Sequence, residues 1–301
     1  MASLLVISGG HPYEADAFGE MIAALGARVG IDWEVTHLVH PEAEDAVAEG
    51  AADAADALLF YDMPGYVFAN GTLATRPPSA AYRGALARRF GAGRGAVAMH
   101  HTLAGWARWE QWHQWLGGRF LYQSDQWNGA RVPASGYRHE VSYTAQVVAQ
   151  HPVCDGLPDE FAVCDELYLA QVDERAITPL VRAHGFAFER DNFYSAELAV
   201  AGAMFSREGW DHPPGSNCVA WETRALGAPL IYLQFGDGPQ SYANQHVRQL
   251  LAQALAYTSA GGVSCGAGCG ASCATDGAGG AAGNAAGSAA GGGPPVSGEQ
   301  S

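Results

Sequence analysis

The 301-residue chain contains no lysine: all 16 of its basic residues are arginine. That excludes Schiff-base chemistry and a phosphate-loop lysine. Positive charge is short in any form, because 31 acidic residues leave a formal net charge of −15. So acidic a balance argues against nucleic acid and anionic membrane as partners, since both attract basic surfaces. Charge is scarce overall, at 16% of residues, while 48% are hydrophobic. Such a chain packs a core rather than staying unfolded through self-repulsion. No apolar run approaches the ~18 residues of a membrane-spanning helix. The opening apolar run, residues 4–7, is short, lacks a basic flank and ends in Gly9-Gly10. It reads as a buried first strand and a tight turn, not as a secretory leader. Two common signatures are missing as well. There is no G-x-S-x-G elbow, and no G-x-G-x-x-G follows the first strand.

Cysteine is sparse in the body. Cys154, Cys164 and Cys218 are scattered, as suits free thiols in a reducing compartment. Cys265, Cys269 and Cys273 form a C-x3-C-x3-C array that matches neither common zinc nor ferredoxin spacing. They lie in residues 261–301, which are mostly Gly, Ala and Ser and hold no aromatic residue. That stretch cannot bury enough apolar surface to offset its ordering entropy. The expectation is one domain over residues 1–260 and a disordered tail over 261–301. The tail holds 14 of the 39 glycines, so the excess of that residue belongs to it.

In the body, strand-like runs at 4–7, 33–38, 57–61 and 95–99 alternate with helical stretches at 14–28, 42–49, 80–90 and 103–116. The first helix places Phe18, Met21, Ile22 and Leu25 at helical spacing. Residues 63–78, with Pro64, Pro77 and Pro78, read as a long loop. This alternation predicts a parallel sheet covered on both faces. Further β-like stretches follow at 140–148, 176–184, 198–205, 219–222 and 229–233, before a last helix at 241–257. They predict a partly antiparallel extension and a return to the sheet. The expected class is α/β, a three-layer sandwich on a mostly parallel sheet.

In such a sheet, ligands bind beyond the carboxyl ends of the strands. That rule selects Gly9-Gly10-His11, Asp62-Met63-Pro64, His100-His101 and Gly236-Asp237-Gly238. Histidine suits proton transfer near neutral pH and metal ligation. His11 reads equally as a capping residue after a glycine turn. Neighbours on a strand end point opposite ways, so one of His100 and His101 is expected to face the crevice. Glu14 opens the first helix, where a carboxylate also favours the dipole. Asp165-Glu166, just before Tyr168, offers a general acid or base. Trp106, Trp109, Trp112 and Trp115 suggest a sugar platform. Steps of three, however, rotate about 60° around a helix, so the four cannot share one face. Trp106, nearest the strand end, remains the candidate for the ligand side. Histidine and carboxylate donors suit zinc or a similar divalent metal, with His11 and His101 as candidate ligands. A Cys-dependent glutamine amidotransferase would carry its nucleophile where His100-His101 stand, so that chemistry is excluded.

The residues also carry a family resemblance. The segments are Leu5-Val6-Ile7-Ser8-Gly9-Gly10-His11-Pro12-Tyr13, Gly95-Ala96-Val97-Ala98-Met99-His100-His101 with Trp106 and Trp109, and Leu116-Gly117-Gly118-Arg119-Phe120. Next come His151-Pro152-Val153, then Gly156-Leu157 and Phe161, leading to Asp165-Glu166-Leu167-Tyr168, and finally Gly236-Asp237 with Tyr242 and Asn244. In this ordered set the chain resembles the ThuA-like (trehalose utilisation) family over residues 3–257. The resemblance implies a flavodoxin-like fold related to the class I glutamine amidotransferases. It also implies a cytoplasmic protein of sugar metabolism, linked to oxidised (3-keto) disaccharides or glycosides. On this reading His11, His100, His101, Glu166 and Asp237 are the catalytic candidates. Gly10, Glu14, Trp106, Tyr168 and Tyr242 are the candidates for substrate binding. The family commonly has histidine where Asp237 stands, so Asp237 must take over that role or the activity differs. Two functions are open: an enzyme using His/carboxylate acid–base or metal chemistry, and a non-catalytic carbohydrate-binding or accessory protein. Flavin binding rests on fold analogy alone. The expected partner is a small carbohydrate, and a homo-oligomer is compatible with either function.

Overall fold

The computed structural model describes residues 1–262. The expected tail lies outside the described residues, apart from Gly261 and Gly262. The main sheet has ten strands, of which nine run in continuous order: β1 (Ala2–Gly9), β2 (Trp33–Val39), β3 (Ala57–Asp62), β4 (Ala96–Met99), β5 (Gly136–Val147), β6 (Glu160–Leu169), β7 (Thr178–His184), β8 (Cys218–Ala225) and β9 (Ala228–Leu233); the tenth, Tyr194–Ser195, pairs with the start of β5. Their order is β6-β5-β7-β8-β9-β4-β3-β1-β2. The run β9, β4, β3, β1, β2 is parallel throughout. Read from β2, that half has the flavodoxin strand order. From β9 outward the pairing turns antiparallel.

Burial on both faces explains why the parallel strands read as apolar runs. Alternate residues serve opposite layers. Leu4, Val6, Leu59 and Val97 share a core with Phe18, Met21 and Leu25 of α1 (Ala15–Val29). The same core takes Leu250, Leu251 and Leu255 from the chain's last described helix (Gln245–Ser259). Leu5, Ile7, Leu58, Phe60 and Ala98 face the other layer. That layer holds α2 (Glu42–Ala48), its continuation α3 (Ala51–Ala54), α4 (Ala80–Gly91) and α5 (Glu110–Leu116). Each fully buried Leu or Phe side chain stabilises by ~1.5–3 kcal/mol relative to exposure. Among the described residues no helix is long and apolar enough to cross a membrane.

Three expectations need correction. Residues 63–78 are not all loop: Tyr66–Ala69 pairs antiparallel with Thr72–Thr75 around Asn70-Gly71. Both turn residues have positive φ, +49° and +70°, as a tight hairpin turn requires. The stretch 103–116 is helical only from Glu110. Before it, His100–Leu103 forms a 3-10 turn, and Trp106 takes φ +55° with its N–H bonded to the Pro64 carbonyl. Residues 198–205 are not a strand: Ala196–Val200 is a short helix, α6, capped by the Ser195 hydroxyl, which accepts from the Leu198 N–H. The last two helices are then α7 (Pro239–Ala243) and α8 (Gln245–Ser259).

Candidate active site

The loops after β1, β3, β4 and β9 converge at one edge of the parallel half. Gly10 makes the first approach possible. It has φ +84°, and a Cβ there would lie 2.3 Å from the Met63 carbonyl oxygen. β4 then delivers His100, whose φ of +52° turns the chain sharply. Because the pair sits on a turn rather than on a strand end, the two rings do not diverge as alternation predicts. Their centroids are 4.2 Å apart. One hydroxyl, that of Tyr168, lies 3.0 Å from His100 Nε2 and 2.8 Å from His101 Nδ1.

Tyr168 and Glu166 arrive from β6, at the far edge of the antiparallel half. The long β5–β6 pair carries them back, bending where its register shifts between Arg138 and Val141. This bulge re-aims His139, as bulges beside functional sites commonly do. Asp165 then ties β6 to the loop after β9. Its carboxylate accepts from the Gly236 N–H at 2.8 Å, the Asp237 N–H at 3.0 Å and the Ser241 hydroxyl at 2.6 Å.

Two carboxylates and two histidines interleave at the centre. Glu166 places Oε2 at 3.3 Å from His100 Nε2 and Oε1 at 3.4 Å from His139 Nδ1. Asp237 places Oδ1 at 3.5 Å from His100 Nε2 and Oδ2 at 3.6 Å from His139 Nδ1. His100 Nδ1 faces the Gln234 carbonyl oxygen at 2.6 Å. One donor atom each from His100, His101, Glu166 and Asp237 falls within a sphere where all lie within 4.8 Å of one another.

Electrostatics separates these groups. Burial opposes charge on His100, yet the adjoining carboxylates of Asp237 and Glu166 carry it up to about 10. Burial and the neighbouring charges of His100 and His11 hold His101 well below the usual imidazole range. Burial alone would raise Asp237, but His100 and His139 pull it far below the usual carboxylate range. His139 is raised, chiefly by the Asp237 carboxylate beside it. Asp165 is raised by burial, against its hydrogen bonds.

The remaining sequence candidates lie around this centre rather than in it. The His11 ring is 4.2 Å from that of His101. Its nitrogens face the carbonyl oxygens of Pro12 at 2.9 Å and Tyr61 at 3.2 Å, so it stands outside the four donors. Tyr242 shares a 2.6 Å hydroxyl contact with Tyr61, which donates to the Gly236 carbonyl and so braces the Asp237 loop. Glu14 is exposed at the start of α1. Trp106 is buried in the helical layer between Tyr82 and His40, with the Arg76 guanidinium over its ring. Trp109 and Trp112 stack on each other, both buried.

Sequence reasoning missed His139, the bracing role of Asp165 and the orienting carbonyl of Gln234. It singled out Asp62, at the end of β3, but missed its buried partner His40, 2.9 Å away just after β2. The one available signal for His139 was its place just ahead of an alternating run, where a bulge leaves no periodic trace.

Fold and site together define a flavodoxin-like α/β protein with a buried histidine–carboxylate centre at the carboxyl edge of its parallel strands. Residues 3–258 match the family model described as ThuA, trehalose utilisation, and the chain belongs to that family. No curated protein matches the chain. Among solved structures, a putative ThuA-like protein from Parabacteroides merdae ATCC 43184 superposes with a TM-score of 0.60 at 12% identity, covering 87% of this chain and 91% of that one. One from Bacteroides uniformis ATCC 8492 does so with a TM-score of 0.56 at 16% identity, covering 85% and 91%. At these identities the likeness shows the shared fold.

Proposed function

We propose that the protein is an enzyme of sugar metabolism acting on an oxidised (3-keto) disaccharide or glycoside. The observation that carries this reading is the convergence of His100, His101, Tyr168, Glu166 and Asp237 at one buried edge. A ketone within a sugar ring acidifies the C–H beside it. Cleaving or rearranging such a sugar requires a base for that proton, a group to hold charge on the carbonyl oxygen, and an acid for the departing oxygen. Two imidazoles, a phenol and two carboxylates in mutual reach supply those kinds of group. Family membership supports a disaccharide as the starting point of the pathway.

The test is turnover of 3-keto-trehalose and related oxidised disaccharides by the wild type and by His101→Ala. Loss of a positioned acid–base group lowers the rate by about 10²–10⁴-fold. That loss is expected with an unchanged circular dichroism spectrum, and unchanged turnover overturns the role of His101. A non-catalytic reading is motivated by Asp237 at a position where the family commonly has histidine. Calorimetric binding of these sugars by a wild type that turns none over would establish it instead.

A further inference from the structure

Glu166 is 3% exposed, and its Oε2 has no hydrogen-bond partner. Burying a carboxylate oxygen without one is costly, so such an atom calls for an explanation. It points at His100 Nε2, 3.3 Å away, and Asp237 Oδ1 stands 3.5 Å from the same nitrogen. The other ring nitrogen of His100 faces the Gln234 carbonyl oxygen at 2.6 Å. A carbonyl accepts only, so that contact places a ring proton on Nδ1 and leaves Nε2 as the ring atom turned to the carboxylates. Metal-ligating histidines are commonly held this way, by a backbone carbonyl on the far nitrogen.

The spacing agrees. A tetrahedral ion about 2.0–2.1 Å from its ligands holds them about 3.3–3.4 Å apart. The distances from His100 Nε2 to Glu166 and Asp237, 3.3 and 3.5 Å, lie at or just beyond that edge length, and all four donors lie within 4.8 Å of one another, so binding an ion draws them slightly inward. Two carboxylates at a buried point also supply the charge that balances a divalent cation. The neighbouring groups sort themselves by their partners. Asp165 spends its oxygens on the Gly236, Asp237 and Ser241 donors, and His11 turns both nitrogens to carbonyls. His139 contacts the outer oxygens of the same two carboxylates, which makes it a positioning residue for them.

We infer that His100, His101, Glu166 and Asp237 bind a single divalent first-row transition-metal ion, with zinc the first to test. Two imidazole nitrogens and two carboxylate oxygens form a borderline donor set of the kind such ions take. What the ion does there rests on the function proposed above: it would polarise the carbonyl oxygen of the oxidised sugar.

The experiment uses the full-length chain, stripped with chelator and titrated with Zn²⁺ alone by calorimetry and elemental analysis. One ion per chain is expected, with a Zn²⁺-dependent rise in Tm, because a ligand of the native state stabilises it. The variant Glu166→Gln/Asp237→Asn should weaken binding by more than about 100-fold. Cys265, Cys269 and Cys273 form a competing thiol array. Cobalt substitution of the wild type separates the two without any variant: nitrogen and oxygen ligands give no thiolate-to-metal charge-transfer band. A thiolate band, full zinc affinity in a folded double variant, or no bound metal in the wild type each overturns the inference. A chain that binds no ion yet turns over oxidised sugar overturns the inference alone. One that binds the ion but turns over no sugar overturns the proposed function alone.

Discussion

Arg89 is buried and has no carboxylate partner. Its guanidinium donates instead to the carbonyl oxygens of Ala52, Ala55, Asp56 and Gly95, joining α3, the segment after it and the turn before β4. Burial brings it down to about 10, so its charge survives near neutrality. Only a planar fork of five donors serves so many carbonyls at once. Arg89→Lys is therefore expected to destabilise by at least about 2 kcal/mol, read as a lower denaturant midpoint, because buried carbonyls lose their partners. A chain without lysine is consistent with sites of this kind, and half of its 16 arginines are partly or fully buried. Glu174 offers a test against pH. Its pKa is lowered, first by its hydrogen bonds from Arg182 and then, against burial, by the Ser216 hydroxyl. An acid depressed in the folded state contributes stability above its unfolded pKa, and loses it as pH falls through the folded value. Glu174→Gln should thus flatten the decline of Tm as pH falls below the ordinary glutamate range. An unchanged slope would show that this pair, partly open to solvent, contributes nothing measurable.

Among the elements, the parallel strands and their helices were legible because each is long, apolar and periodic. The runs at 57–61 and 95–99 became β3 and β4 almost residue for residue. What escaped was conformation at single residues. A histidine at φ +52° looks, in sequence, like any other histidine after a strand. That one dihedral decides whether His100 and His101 diverge or meet. The bulge in β5 escaped for the same reason: alternation locates Val141, Tyr143 and Ala145 inside, but not the extra residue that swings His139 toward Glu166. Asn70-Gly71 was the opposite case, a turn signal present in the sequence and hidden among prolines. The helical argument about the tryptophans did not apply to Trp106 and Trp109, because the helix starts only at Glu110 and carries Trp112 and Trp115 alone. Burial of Trp106 against His40 and Tyr82 followed from the positive φ that ends the preceding turn.

At the scale of the whole molecule, the centre draws on residues from three distant parts of the chain: 100–101, 139 to 168, and 237. The order of strands gives that dispersion a consequence in time. β9, completed only at Leu233, is inserted between β4 and β8, in the middle of the sheet. During synthesis both of those strands must wait with an open edge for a partner that arrives late. Such unpaired edges are templates for pairing with other chains. A chain ending at Gly227 is accordingly expected to aggregate rather than form a smaller folded unit, as size-exclusion chromatography would show. A soluble, monomeric product would mean that the two halves of the sheet fold separately. The last strand to be made is the one that joins them, and it leads directly into the loop that carries Asp237. Assembly of the centre and closure of the sheet are then one event, so no partly made chain can expose a finished site.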